Sequence, residues 1–118
     1  MIVEWFELSD GTKPVRDYLD GLDAKLRAKT LRSMLLLEEF GHALGAPETR
    51  HLEDGIFELR SSVGGNAGRV LFFFFVGNRA VLTHGFVKKS QKTPHREIER
   101  AKRYRAMYLC RTNEEGTP

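Results

Sequence analysis

Apolar and polar positions change their period several times along the chain, and each change marks an element. From Ile2 to Leu8, β-branched and aromatic residues nearly alternate with acids before Ser9-Asp10-Gly11, the pattern of a first strand and a turn. Thr12 is placed to cap a short helix with Pro14 in its first turn, running through Val15, Tyr18 and Leu19 to Gly21. Asp23 is placed to cap a longer one, in which Leu26, Thr30, Leu31, Met34, Leu35 and Glu38 recur every three or four residues until Phe40-Gly41. Residues 41–55, with three glycines and a proline, read as a loop.

The second half reads as a meander closed by a helix. Ile56 to Ser62 alternates as a strand, Gly64 to Gly68 turns, and Arg69 to Val76 is an apolar strand containing Phe72 through Phe75. Gly77-Asn78 predicts a tight hairpin, and Ala80 to Val87 the returning strand. Thr93-Pro94 opens a helix, Thr as N-cap and Pro in the first turn, whose stripe of Ile98, Ala101, Met107 and Tyr108 carries it to about residue 109. The order β-α-α-β-β-β-α predicts an α+β fold with a mostly antiparallel sheet and a C-terminal helix. It forms a single domain over 1–110, with 111–118 as a polar tail.

Charge sharpens this picture. Of the 118 residues, 1–58 carry seven Lys/Arg against twelve Asp/Glu, whereas 60–111 carry twelve Lys/Arg against only Glu97 and Glu99. The second half is therefore suited to a polyanion or an acidic protein. No run approaches the ~18 apolar residues of a membrane span, and no export signal opens the chain, so the expected address is the cytoplasm, away from membranes. The single cysteine, Cys110, offers neither a disulfide nor a nucleophile with a partner set.

Strand alternation and the Thr93-Pro94 helix start could bring Arg60, Arg69, Lys88, Lys89, Lys92, His95 and Arg96 to one concave basic surface, with Arg69 at the sheet's rim. Such a surface suits RNA cleavage without metal or cofactor. The 2′-OH is the nucleophile, and the protein need only move protons and stabilise charge on the phosphate. His42, His51, His84 and His95 show no metal-ligand spacing, carboxylates do not cluster, and no phosphate-loop motif occurs.

Three segments carry a family resemblance: Phe57-Glu58-Leu59-Arg60; Gly68-Arg69-Val70; and His84-Gly85-Phe86-Val87-Lys88-Lys89-Ser90-Gln91-Lys92-Thr93-Pro94 followed by Arg96 to Ala101. With them the chain resembles the phage-derived HigB-like branch of the RelE/ParE toxin superfamily, in element order over residues 2–109. The resemblance implies a RelE-like fold and a toxin of a type II toxin–antitoxin system. Such a toxin cleaves mRNA, usually on the ribosome, to a 2′,3′-cyclic phosphate, and has a cognate antitoxin, often a helix-turn-helix protein. It further implies Arg69 as the phosphate-stabilising arginine and Lys89 as proton donor. Arg60, Lys92 and His95 complete the candidate catalytic set, and Lys88, Arg96, Arg100 and Arg103 the RNA-binding set. RelE's lysines on the strand before Arg60 are replaced here by Ile56 and Glu58. The general base is thus left open among Glu58, Glu48 (which resembles the glutamate base of YoeB relatives), a lysine and His95.

Plainer roles stand beside these. Glu58 and Arg60 are also what a solvent-facing pair on one strand looks like, and Lys88, Lys89 and Lys92 what a solvated loop looks like. His84 fits a hydrogen-bonded sheet residue, and Tyr104 and Tyr108 fit core. Two other functions share the pattern: a ParE-like inhibitor of DNA gyrase, against which the retained basic set argues, and a non-catalytic module binding nucleic acid or a partner.

Overall fold

A computed structural model describes residues 1–89 and 91–115. Strands β1 (Ile2–Trp5), β2 (Thr49–Glu53), β3 (Ile56–Val63), β4 (Asn66–Phe75) and β5 (Arg79–Lys88) form one sheet in the order β1-β5-β4-β3-β2. Among the described residues, only the β1–β5 pairing is parallel. Helices α1 (Pro14–Asp20) and α2 (Ala24–Phe40) cover one face, and α3 (His95–Glu115) the other. The architecture is α+β with a RelE-like layout.

Alternation along the strands builds a core on each face. Leu59, Val70, Phe72 and Leu82 pack with Val15, Leu19, Met34 and Leu37 of α1 and α2. Ile56, Leu71, Phe73 and Val81 pack with Phe6 and with Ala101, Tyr104 and Tyr108 of α3. The four consecutive phenylalanines therefore meet helices on both sides. Tyr104, stacked on Phe6 with centroids 4.8 Å apart, is core, as is Tyr108.

Several sequence expectations are corrected. The stretch read as a loop contains β2, joined to β3 through Asp54-Gly55, both at positive φ as a two-residue type I′ turn requires. The turn after β3 is Gly64-Gly65 alone, because Val63 pairs with Asn66, and β4 starts three residues before Arg69. The β4–β5 connection has three residues, Val76–Asn78, since Phe75 pairs with Arg79. Neither threonine caps its helix by side chain. Lys13 precedes α1 with no side-chain cap bond, and the Thr93 hydroxyl is given to Glu58 instead. Asp23 does cap α2, accepting from the Leu26 N–H at 2.9 Å. The first strand ends at Trp5, and α3 continues through residues 111–115, where Arg111 donates to the Glu7 carbonyl. Of the polar tail, 116–118 lie outside the described residues.

Two irregularities position the site. The register of β4 on β5 shifts between Leu71 and Phe72, so that Leu71 opposes His84 and Phe72 opposes Leu82, leaving Thr83 as the extra residue of a bulge. Leu82 and His84 consequently serve opposite faces, and the Thr83 hydroxyl reaches the Leu71 carbonyl at 3.0 Å. On the α1 side, the Tyr18 side chain occupies the space that side chains at Gly85 and Gly68 would need. A Cβ at Gly85 would stand 2.2 Å from Tyr18 Cδ2. Gly68, inside β4, is there for this close approach and not for a turn.

Candidate RNA-facing site

The site is built where β3, β4 and β5 end beside the start of α3. Arg60 and Arg69 are directly paired across β3 and β4, two cations side by side on the α3 face. Like charges in that position repel, and the carboxylate one alternation away answers them. Glu58 Oε1 lies 3.4 Å from Arg69 Nε, and Oε2 lies 4.0 Å from Arg60 Nε. Glu58 Oε1 also accepts the Thr93 hydroxyl at 2.7 Å, tying the segment before α3 to the sheet. Arg69 donates through one terminal nitrogen to the Gly68 carbonyl at 2.8 Å.

Burial makes this group unusual. Arg69 is 5% exposed and Glu58 0%. Arg69 therefore sits within the central strand, not at the rim that its neighbouring glycines suggested. Burial, with Arg60 adding to it, pushes the Arg69 guanidinium below its ordinary pKa, while Glu58 and Tyr18 act to raise it. Two buried atoms of the pair, Arg69 Nε and Glu58 Oε2, have no hydrogen-bond partner among the described residues. Half-buried Lys88, two rows along the same face, is also pushed down. Burial is the main cause; Glu58 opposes it, and the cations Arg69, Arg60 and Arg50 reinforce it.

Three concavities adjoin these residues. One of about 450 Å³ runs from Arg60 and Arg69 to Glu48, Lys29 and Arg32. A second, about 670 Å³, shares Arg60 and Arg69 as a wall and extends to Lys88, Lys89 and Gln91. A third, about 460 Å³, continues past Lys88 and Lys89 to Pro94 and Arg96. Adjoining through shared walls, they form one groove across the strand ends, whose charged lining is seven cations against the acids Glu48 and Glu97, with Glu58 covered beneath.

The structure thus brings together Arg60, Arg69, Lys88, Lys89 and Arg96 of the sequence-predicted residues. His95 and Lys92 line none of these three concavities. Both are exposed, and His95 faces Glu99 at 3.3 Å. Arg100 packs over the Tyr104 ring and donates to its hydroxyl at 3.0 Å, and exposed Arg103 lies farther along α3. His84 is a buried sheet residue, its Nε2 3.1 Å from Glu97 and its Nδ1 3.1 Å from the Thr83 hydroxyl. Burial first, then Arg100 and Arg103, holds its pKa down at about 3, so it is neutral at pH 7 despite the glutamate beside it. Of the base candidates, Glu48 opens onto the groove while Glu58 is covered. Sequence reasoning missed Lys29, Arg32 and Arg50. The three-residue spacing of Lys29 and Arg32 on α2 was the available signal for a shared face. Among the described residues, no three His, Cys, Asp or Glu side chains gather as a metal site, and no helix is long and apolar enough to cross a membrane.

A two-sided α+β domain whose sheet ends in a groove of arginines and lysines is the class of protein that fold and site define. Residues 17–106 match the family described as phage-derived protein Gp49-like (DUF891), and the chain belongs to that family, a RelE- and toxin-like one. No curated protein matches it.

Proposed function

We propose that this protein is the toxin of a type II toxin–antitoxin pair, of the HigB-like branch, acting in the cytoplasm as a metal-independent mRNA endonuclease, on ribosome-bound message. The observation that carries this reading is the buried Arg69 at the meeting of two concavities, with Arg60 and Lys88 beside it. In that groove a scissile phosphate would face preorganised donors whose charge is poorly screened by water. The message supplies its own nucleophile, the 2′-OH. Its attack on phosphorus expels the 5′-oxygen and leaves a 2′,3′-cyclic phosphate. Arg69 and Arg60 stabilise the charge growing on the non-bridging oxygens. Lys88, held down in pKa, and Lys89 stand on the groove as proton-transfer groups, and Glu48 is the carboxylate accessible to act as base. Arg96 and, farther along α3, Arg100 and Arg103 serve as phosphate contacts that hold the strand. A cognate helix-turn-helix antitoxin would restrain the activity.

The test is induction of the chain alone, followed by pulse labelling of new protein and new DNA. A collapse of protein synthesis ahead of DNA synthesis, relieved by the antitoxin, is expected. A first loss of DNA synthesis would favour a gyrase-directed ParE-like action, and unaffected growth at good expression would contradict a toxin.

A further inference from the structure

Glu58 does not fit the role of proton acceptor for RNA, because a carboxylate with no exposed surface cannot meet a 2′-OH. Its surroundings give it another task. Its carboxylate lies beneath two cations of the groove, 3.4 Å from Arg69 and 4.0 Å from Arg60. Its Oε1 is shared between Arg69 Nε and the Thr93 hydroxyl, which links the start of α3 to the central strand. Glu58 and Arg69 are both buried, and among the described residues Arg69 Nε meets Glu58 by ion-pair contact without a hydrogen bond. A buried carboxylate set against a buried guanidinium holds that guanidinium in place, because breaking the pair would leave an uncompensated buried charge.

Resting on the endonuclease reading above, we infer that Glu58 is the positioning residue of the site: anchored by Thr93, its carboxylate fixes Arg69 for the chemical step at the expense of affinity for the polyanion. The two effects have opposite signs because they have different origins. A negative charge beneath the groove repels every phosphate, cleaved or not. The aim of Arg69 matters only when charge builds on the reacting phosphate, and a misplacement of about 1 Å there can reduce a rate ~100-fold.

The experiment uses the full chain with a short RNA, for single-turnover cleavage at saturating protein, and its 2′-O-methyl counterpart, which cannot be cut, for binding. Glu58→Gln keeps the shape and an acceptor for Thr93 but removes the charge. It should bind the 2′-O-methyl strand roughly two- to fivefold more tightly, with a steeper salt dependence, while cleaving about 10- to 100-fold more slowly. Thr93→Val removes the anchor without touching charge, so cleavage should slow and affinity stay unchanged. Glu58→Asp should return affinity to the wild-type level. Equal losses of binding and cleavage in Glu58→Gln, tracking lost circular dichroism, would reduce Glu58 to a structural ion pair and overturn the inference. So would unchanged cleavage in both Glu58→Gln and Thr93→Val. If the wild-type protein cuts no RNA at all, the endonuclease reading fails, and the positioning role fails with it even where Glu58→Gln tightens binding.

Discussion

Gly85→Ala is the sharpest test of how the site is supported from below. The φ of Gly85 is outside the left-handed region, so its backbone would accept alanine, and only space excludes a side chain. The added Cβ would stand 2.2, 2.5 and 2.6 Å from three Tyr18 ring atoms, where ordinary contact begins near 3.4 Å. The ring must move by about 1 Å or leave the sheet. Overpacking of this kind costs ~1–3 kcal/mol, and expelling a packed aromatic side chain ~3–5 kcal/mol. We expect a loss of about 2–4 kcal/mol. At ~2.1 cal/mol/K per residue, the unfolding entropy of this chain converts each kcal/mol into about 4 °C, so Tm should fall by roughly 8–16 °C in calorimetry. The decisive comparison is a double-mutant cycle. In a Tyr18→Ala background the same Gly85→Ala change should cost less than about 1 kcal/mol. A Gly85→Ala protein melting within 2 °C of wild type, or a penalty unchanged without the Tyr18 ring, would refute the reasoning.

Other consequences follow from the same contacts. Arg69→Lys keeps the charge beside Glu58 but loses the fork, and should slow single-turnover cleavage ~10²–10³-fold with the fold retained by circular dichroism; a wild-type rate would contradict the phosphate role. Arg103→Ala should instead leave the saturated cleavage rate intact and reduce the salt slope of RNA binding by roughly one unit, measurable by titration at several salt concentrations. His84, with its folded pKa held at about 3 against an ordinary 6.5, takes up its proton only in the unfolded chain between those values. Stability should therefore be full above pH 6.5 and fall on acidification by up to ~1.4 kcal/mol per pH unit; denaturant titrations should show a shallower fall in His84→Gln. Activity should persist in EDTA, and loss on chelation with rescue by Mg²⁺ would overturn the metal-independent chemistry.

The elements most legible in the sequence were those whose burial imposes a period. The α2 and α3 stripes show one and β4 is a continuous apolar run, and the α+β class follows from their order. Yet Leu31, Leu35 and Glu38 of the α2 reading and Met107 of the α3 reading are exposed, because α2 buries the face of Leu26, Thr30, Met34 and Leu37 instead. What escaped is what periodicity does not encode. Strand β2 is a polar edge, with Arg50 and His51 exposed, so no apolar alternation announced it; the Asp54-Gly55 turn was its only local sign. Gly68 looked like part of a turn because a glycine required by a distant ring is locally indistinguishable from one required by positive φ. That misplacement moved Arg69 to the rim and hid its burial. The Thr93–Glu58 bond spans 35 residues and overrides a good local capping pattern. The basic groove itself was legible as charge, whereas its acidic keystone was visible only as a residue on the same face as Arg60.

The measurement that bears most directly on the account is the chemistry of the cut ends. Purified protein and RNA, incubated in EDTA with and without ribosomes and analysed by mass spectrometry, should yield fragments ending in 2′,3′-cyclic phosphate paired with 5′-hydroxyl fragments, and Arg69→Lys should produce them far more slowly. Ends bearing 5′-phosphate, cleavage that requires added Mg²⁺, or RNA left intact with ribosomes present would contradict an endonuclease built on this groove.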